Sequence, residues 1–309
     1  MGAAGKASAR RGALGKVALT YAVALVAAAL VARALPGLGP LAAAAAADVA
    51  ATLVVFAASV LCDNSSLYDP YWSVAPVFIA LYWAPAGARA GAPLLRAALA
   101  VGLLAAWGVR LTANWLLRWR GLEDEDFRYL ELRRRTGRAY WPVSLLTVHL
   151  MPTAWVFGGL WPLYGALTLP GRPLGALDAA ALVVSAGAIL LEAAADTALR
   201  RFRRLPGAPG AVLDRGLWAL CRHPNYLGEV LFWWGLYLLG LAARPDRAYT
   251  ALGPAAITLL FVTVSVPWMD RRMLARHPGY AERMRTTPAL FPWRRRRSGA
   301  EAPGAPGRP

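Results

Sequence analysis

The chain has 309 residues, 58% of them hydrophobic, with 13 tryptophans, a mean hydropathy of +0.41 and a formal net charge of +17 at pH 7. That apolar excess is too large for an ordinary soluble domain and places the chain in a bilayer. Two cysteines, Cys62 and Cys221, support neither a disulfide framework nor a cysteine metal site, and His149, His223 and His277 are too scattered to form one.

A spanning helix needs about 20 mostly apolar residues. Such runs occur near 16–34, 41–62, 72–88, 95–117, 144–168, 177–198, 226–243 and 249–268. They predict an all-α polytopic membrane bundle of about seven or eight transmembrane helices. The count is open by one because 72–88 contains Pro76 and Pro85 and the run at 226–243 is short. The first run follows Lys6, Arg10, Arg11 and Lys16, and its apolar stretch exceeds a signal-peptide core, so a retained helix is expected.

Three segments follow from this pattern: residues 1–49 as a basic amino-terminal segment with the first helix, 50–293 as one membrane domain, and 294–309 as a basic tail. Arg294 to Arg297 are expected to anchor that tail, and its end, GAEAPGAPGRP, is expected to be disordered.

Short loops rich in Lys and Arg stay in the cytosol. An inside amino terminus also puts Arg118–Arg138, Arg200–Arg222 and Arg271–Arg297 inside, whereas the opposite loops carry little charge. Both termini are therefore expected in the cytosol. This asymmetry accounts for much of the positive charge, so no nucleic-acid partner is needed, and the basic face suits anionic lipid headgroups or a phosphorylated cofactor.

Before the third run, NSSLYDPYW gathers Tyr68, Asp69 and Tyr71, a cluster of one carboxylate and two phenols that is also compatible with a plain turn bearing interfacial aromatics. The segment RGLEDEDFRYLELRRRTGRAYW alternates acids and bases, as an amphipathic helix at the interface does. His149, inside an apolar run, reads as a core histidine.

Chemistry-bearing residues concentrate in the last third. In LLEAAADTALRRFRR, Glu192, Asp196, Arg200 and Arg203 advance by helical spacings and form one polar stripe. An ion-pair ladder is the structural alternative, but Glu192 lies about two turns inside the apolar run, where ionisable groups face a polar cavity or a partner. In ALCRHPNYLGEVLFWW, Pro224 suits a first helical turn and Asn225 and Glu229 share a face. In VPWMDRRMLARHPGYAERMRTTPALFPW, Asp270, Arg271, His277 and Tyr280 are interleaved more closely than a plain positive anchor requires.

The motif RHPNYLGE, with the aromatic helix and basic segment after it, resembles the carboxy-terminal domain of the steroid 5-alpha-reductases. GVRLTANWLLRWRGLEDEDFRYLELRRRTG is similar to an uncharacterised bacterial and algal branch of that family. The resemblance covers roughly residues 50 to 293 and implies an integral-membrane reductase that transfers hydride from NADPH to a carbon–carbon double bond of a lipid. It assigns Asp196, Arg203, Asn225 and Glu229 to NADPH. Glu192 joins them on the stripe, Arg222 and Arg271 suit phosphate recognition, and His223, Tyr226 and Asp270, in the same motifs, are expected to contact the cofactor as well. There is no GxGxxG fingerprint, so the nicotinamide expectation rests on the resemblance.

An enone carbonyl must be polarised while hydride arrives. Where the family has a tyrosine, this chain has Trp107 ahead of Arg110, which donates no useful proton. Asp69, with Tyr68 or Tyr71, is the expected substitute. Two other classes fit parts of the pattern: an S-adenosylmethionine-dependent membrane methyltransferase of the isoprenylcysteine or phospholipid type, whose motif is RHPxYxGE-like, and a non-enzymatic membrane protein.

Overall fold

A computed structural model of the chain describes residues 3–205, 210–277 and 279–292. The long helices are α1 (Ala3–Ala34), α2 (Pro40–Leu61), α3 (Tyr71–Arg89), α4 (Leu94–Leu116), α7 (Met151–Thr168), α8 (Ala176–Phe202) and α10 (Pro224–Ala243). Shorter ones are α5 (Phe127–Thr136), α6 (Tyr140–Ser144), α9 (Leu217–Leu220), α11 (Leu252–Leu260), α12 (Val266–Arg276) and α13 (Tyr280–Thr286). Among the described residues there is no strand, and seven helical segments are long and apolar enough to cross a membrane. The protein is an all-α, multi-pass membrane chain. α3 is not among the seven, because Tyr71, Trp72, Tyr82 and Trp83 together with Pro76 and Pro85 lower its hydropathy.

The chain forms two compact units, one of Met1–Ile189 with Val230–Thr258, the other of Leu190–Glu229 with Leu259–Pro309. Each is discontinuous in sequence because α8, α10 and α11 pass through a boundary. Arg294–Arg297 and the tail expected to be disordered lie outside the described residues.

In the first unit, small residues let helix backbones meet, as membrane packing requires. A Cβ on Gly108 of α4 would strike the Ser73 carbonyl of α3, and one on Gly240 of α10 would strike Pro162 of α7. Trp107 is fully buried, stacked on Phe232 with ring centres 5.0 Å apart. Arg96 of α4 makes a buried bidentate pair with Asp178 in the first turn of α8, at 2.7 and 3.0 Å, and holds the Arg172 and Pro173 carbonyls. His149 lies in a π-helical turn, Leu145–Leu150, with Nδ1 3.1 Å from the Ser144 carbonyl and Nε2 3.3 Å from Ser59 Oγ.

The α2–α3 turn relies on a left-handed Asp63 (φ 49°) and on Asn64, whose side chain caps the 3-10 turn Ser65–Leu67 by accepting from the Ser66 N–H. The segment expected to be helical from Arg120 begins its helix at Phe127, where Asp126 is the N-cap. The preceding loop folds onto the α2–α3 turn: Asn64 donates to the Leu122 carbonyl, and Glu125 accepts from the Ser65 N–H at 2.8 Å. Asp124 and Asp126 likewise accept from the Arg120 and Arg128 N–H groups, local bonds that compete with a helix through this loop.

The second unit has a small core of Ala195, Leu213 and Trp218, with Trp218 donating to the Ala195 carbonyl at 3.1 Å. The chain after α13 runs beside the RHP motif, where Arg222 N–H meets the Pro288 carbonyl and His223 N–H meets the Ala289 carbonyl.

Candidate functional site

The second unit contains every residue assigned from the sequence to the cofactor. α10 starts at Pro224, so Asn225 and Glu229 occupy its first two turns on one face. Asn225 Nδ2 donates to Asp196 Oδ1 of α8 at 3.3 Å, joining the two polar stripes. Glu192 and Glu229 are both buried, whereas Arg203 and Arg271 are exposed.

Asp270 stands apart from that group in role. Its carboxylate accepts from Arg222 Nε and Nη2 at 3.2 and 2.7 Å, from His223 Nε2 at 2.8 Å and from the Tyr280 hydroxyl at 2.7 Å. Arg222 spends Nη1 on the Thr287 and Met284 carbonyls. These donors and acceptors are engaged inside the protein, so Arg222, His223 and Asp270 form a buried hub that fixes the start of α10 against α12 and α13. Burial and the adjacent Asp270 hold the Tyr280 hydroxyl above the ordinary phenol range. Tyr226 stacks on the His223 ring at 5.3 Å and packs edge-on against Phe261.

A dinucleotide requires acceptors for ribose hydroxyls and carboxamide, and cations for phosphates. The described residues of this unit supply both kinds: Asp196 and Asn225 in contact, Glu192 and Glu229 buried one turn along the same helix faces, and Arg203 and Arg271 as exposed guanidinium groups.

The first unit contains the residues expected to polarise a carbonyl, and it gives them separate partners. Asp69 Oδ1 accepts from the Tyr129 hydroxyl of α5 at 2.5 Å, with Arg128 3.8 Å away. Tyr68 bonds to Thr153 at 2.7 Å, and Thr153 to Thr52 at 2.8 Å. The Tyr71 hydroxyl donates to Asp48 Oδ1 of α2 at 2.9 Å. The carboxylate beside Tyr71 is thus Asp48, not Asp69, because the α2–α3 turn directs Asp69 toward α5. Burial pushes the Asp69 carboxyl up to about 6 against the opposing influence of Arg128.

Asp48 and Tyr71 also line a cavity of about 220 Å³ among α1, α2 and α3, whose other walls are almost entirely apolar. Asp48 was not singled out from the sequence. Its signal is a lone carboxylate in the middle of the 22-residue apolar α2, the costly placement that marks function in spanning helices.

A family model described as "Protein of unknown function (DUF1295)" matches residues 55–287. An uncharacterised protein of Schizosaccharomyces pombe is 26% identical over 213 residues, which cover 62% of this chain and 61% of that protein. The chain thus spans about three fifths of the length of that relative. Cobalt-zinc-cadmium resistance protein CzcN of Cupriavidus metallidurans is 35% identical over 82 residues, 26% of this chain and 35% of its own length. Among the described residues, no group of three His, Cys, Asp or Glu side chains is placed to hold a metal ion. No solved structure matches the chain.

Proposed function

The chain belongs to the DUF1295 family, whose description assigns no activity, and from that premise we propose that it is a membrane-bound, NADPH-dependent reductase of a carbon–carbon double bond conjugated to a lipid carbonyl. The observation that carries the reading is the Asn225–Asp196 hydrogen bond at 3.3 Å, with Glu192 buried on the Asp196 stripe and Glu229 buried on the Asn225 stripe. Charged and amide groups gathered on two helices of a membrane chain suit a polar ligand.

In this reading Asp196, Asn225, Glu192 and Glu229 take the hydroxyl and amide groups of the cofactor, and Arg203 and Arg271 take its phosphates. Arg222, His223 and Asp270 hold the frame. The basic loops and both termini face the cytosol, where NADPH is found. When bound, NADPH supplies the hydride.

The lipid carbonyl sits on the Asp48–Tyr71 pair. With Asp48 protonated, the Tyr71 hydroxyl donates to the carboxyl group and the carboxyl O–H is left for the substrate oxygen. That hydrogen bond would draw electron density from the β-carbon of a bound enone.

Thermal unfolding of the purified protein tests the cofactor class. NADPH at about 100 times its Kd should stabilise by roughly 2.7 kcal/mol. Stabilisation by S-adenosylmethionine instead would convert the reading to a methyltransferase, and stabilisation by neither would leave a non-enzymatic membrane protein. Oxidation of NADPH by membranes supplied with conjugated enone lipids, absent from membranes lacking the protein, then tests the reaction.

A further inference from the structure

Asp48 has polar company inside the first unit. On α2 it shares one buried face with Thr52 and Ser59, at helical spacings, and stands about 16 Å along the helix from Ser59. Ser144, His149 and Thr153 lie buried along the segment that contains the π-helical turn Leu145–Leu150, a turn type that recurs at functional sites. Ser65, Tyr68 and Tyr71, from the connection between α2 and α3, are buried as well.

These side chains form two hydrogen-bonded strings. At the loop end, Arg133 pairs with Asp63, whose side chain is 76% exposed, and with the buried Glu125. Glu125 Oε1 lies 3.3 Å from the Tyr140 hydroxyl, which lies 2.6 Å from Ser65 Oγ, itself 3.1 Å from Ser144 Oγ. At the deep end, Tyr68 bonds to Thr153 at 2.7 Å and Thr153 to Thr52 at 2.8 Å. Thr52 is in turn a hydrogen-bond partner of Tyr71, which donates to Asp48 at 2.9 Å. His149 stands between the strings. Its Nδ1 is 3.1 Å from the Ser144 carbonyl, its Nε2 is 3.3 Å from Ser59 Oγ, and its ring packs on that of Tyr68 with centres 4.9 Å apart.

We propose that this column is a proton route from the loop face to Asp48, with His149 as the hand-over between its two strings. Polar and ionisable groups set this deep in spanning helices are costly, and chains of them mark proton relays. Glu125 takes a proton from water, each hydroxyl accepts one proton and releases its own, and His149 accepts at one ring nitrogen and releases from the other. One proton thus leaves water for each that arrives at Asp48. The joints at His149 close by rotation of its ring, or by a water that bridges it to Ser144 Oγ and to the Tyr68 hydroxyl. The cavity on the other side of Asp48 offers no comparable relay, because apart from Asp48 and three tyrosines its wall is apolar. Reduction by NADPH consumes one proton per turnover, and only this use of the column rests on the reductase reading.

The test is deuterium exchange at Asp48, read by infrared spectroscopy on the full chain in nanodiscs of ether-linked lipids, without NADPH or substrate. The carboxylic C=O band that Asp48→Asn lacks reports the proton, and it shifts as deuterium replaces that proton after transfer to D2O. Thr153→Val and His149→Phe should slow the shift by roughly tenfold or more, a barrier higher by about 1.4 kcal/mol. Thr153→Ser, which keeps the hydroxyl, should exchange at the wild-type rate. Thr168→Val removes a buried hydroxyl of the same helix outside the column and should also leave the rate unchanged. Equal rates in the wild type and in folded Thr153→Val and His149→Phe overturn the route, as does a wild type with no Asp48 carboxylic band. Slowed exchange in a chain that never oxidises NADPH removes the reductase reading and keeps the route. NADPH oxidation with uniform exchange rates removes the route and keeps the reading.

Discussion

The Tyr71 hydroxyl and the Asp48 carboxyl group meet at 2.9 Å between α3 and α2, both buried, on the wall of an otherwise apolar cavity. A carboxyl group in mid-helix inside a bilayer, even when protonated, is a polar group whose donor and acceptor sites are costly to leave unmet, and one phenol hydrogen bond meets only part of them. The remaining cost is the physical argument for a ligand at this place.

If the pair polarises a substrate carbonyl, Asp48→Asn should lower turnover by roughly 10² or more, the usual scale of a general acid. NADPH protection against thermal unfolding should be unchanged. Tyr71→Phe should act in the same direction, and the double variant should be no worse than the poorer single variant, because the two groups act as one unit. Full turnover in the double variant would remove the pair from the chemistry.

Asp270 gives a contrasting expectation. Because Arg222 is buried and spends its donors on this carboxylate and on two carbonyls, Asp270→Asn leaves a buried guanidinium without its counter-charge. Stability should fall by about 3–5 kcal/mol, as for other broken buried pairs, and protease cleavage within 279–292 should accelerate. Normal stability with loss of NADPH binding would instead make Asp270 a ligand contact.

The spans were legible in the sequence because a bilayer imposes a simple rule, and apolar runs near 41–62, 95–117 and 177–198 appear as α2, α4 and α8 within a few residues. The stripe of Glu192 and Asp196 and the pair Asn225 and Glu229 were legible for a similar reason, since i, i+4 spacing survives any tertiary arrangement. Partners far apart in sequence were not. Asp270 and Arg222 are separated by 48 residues, and Tyr129 and Asp69 by 60, so no local pattern distinguishes the hub from a cofactor contact or sends Asp69 to α5. Asp48 was not legible for a different reason: it is a single charge in an apolar helix with no polar cluster around it to mark it in the sequence.

Asp69 makes a pH-dependent prediction. Its folded value of about 6 lies above the ordinary 3.8, mainly through burial. A raised carboxyl contributes stability while protonated, in full below about pH 4, and loses that contribution as pH rises through about 6. At roughly 1.4 kcal/mol per tenfold change in proton affinity, the effect is capped near 3 kcal/mol. The wild type should therefore lose stability between pH 4.5 and 7 relative to Asp69→Asn, which cannot titrate. Parallel unfolding curves for the two proteins across that window would show that Asp69 is ionised throughout, held by Arg128 and Tyr129.

The cofactor cluster yields the most discriminating prediction because two classes of ligand compete for it. Asn225→Ala removes the donor to Asp196, and Glu229→Ala removes a buried carboxylate on the same face of α10. If these groups hold ribose hydroxyls and the carboxamide, each variant should weaken NADPH by about 1.5–3 kcal/mol, the range for hydrogen bonds to charged groups. Arg203→Ala and Arg271→Ala, which touch only the phosphates in this reading, should weaken NADPH more than a dephosphorylated nicotinamide nucleoside. An ion-pair ladder with no ligand predicts the reverse pattern: lower stability in Asn225→Ala and Glu229→Ala, and no nucleotide whose affinity changes. Titrations of all four variants with NADPH and with S-adenosylmethionine therefore separate a reductase site, a methyltransferase site and a structural ladder in one set of measurements, since a sulfonium ligand without phosphates is indifferent to Arg203 and Arg271.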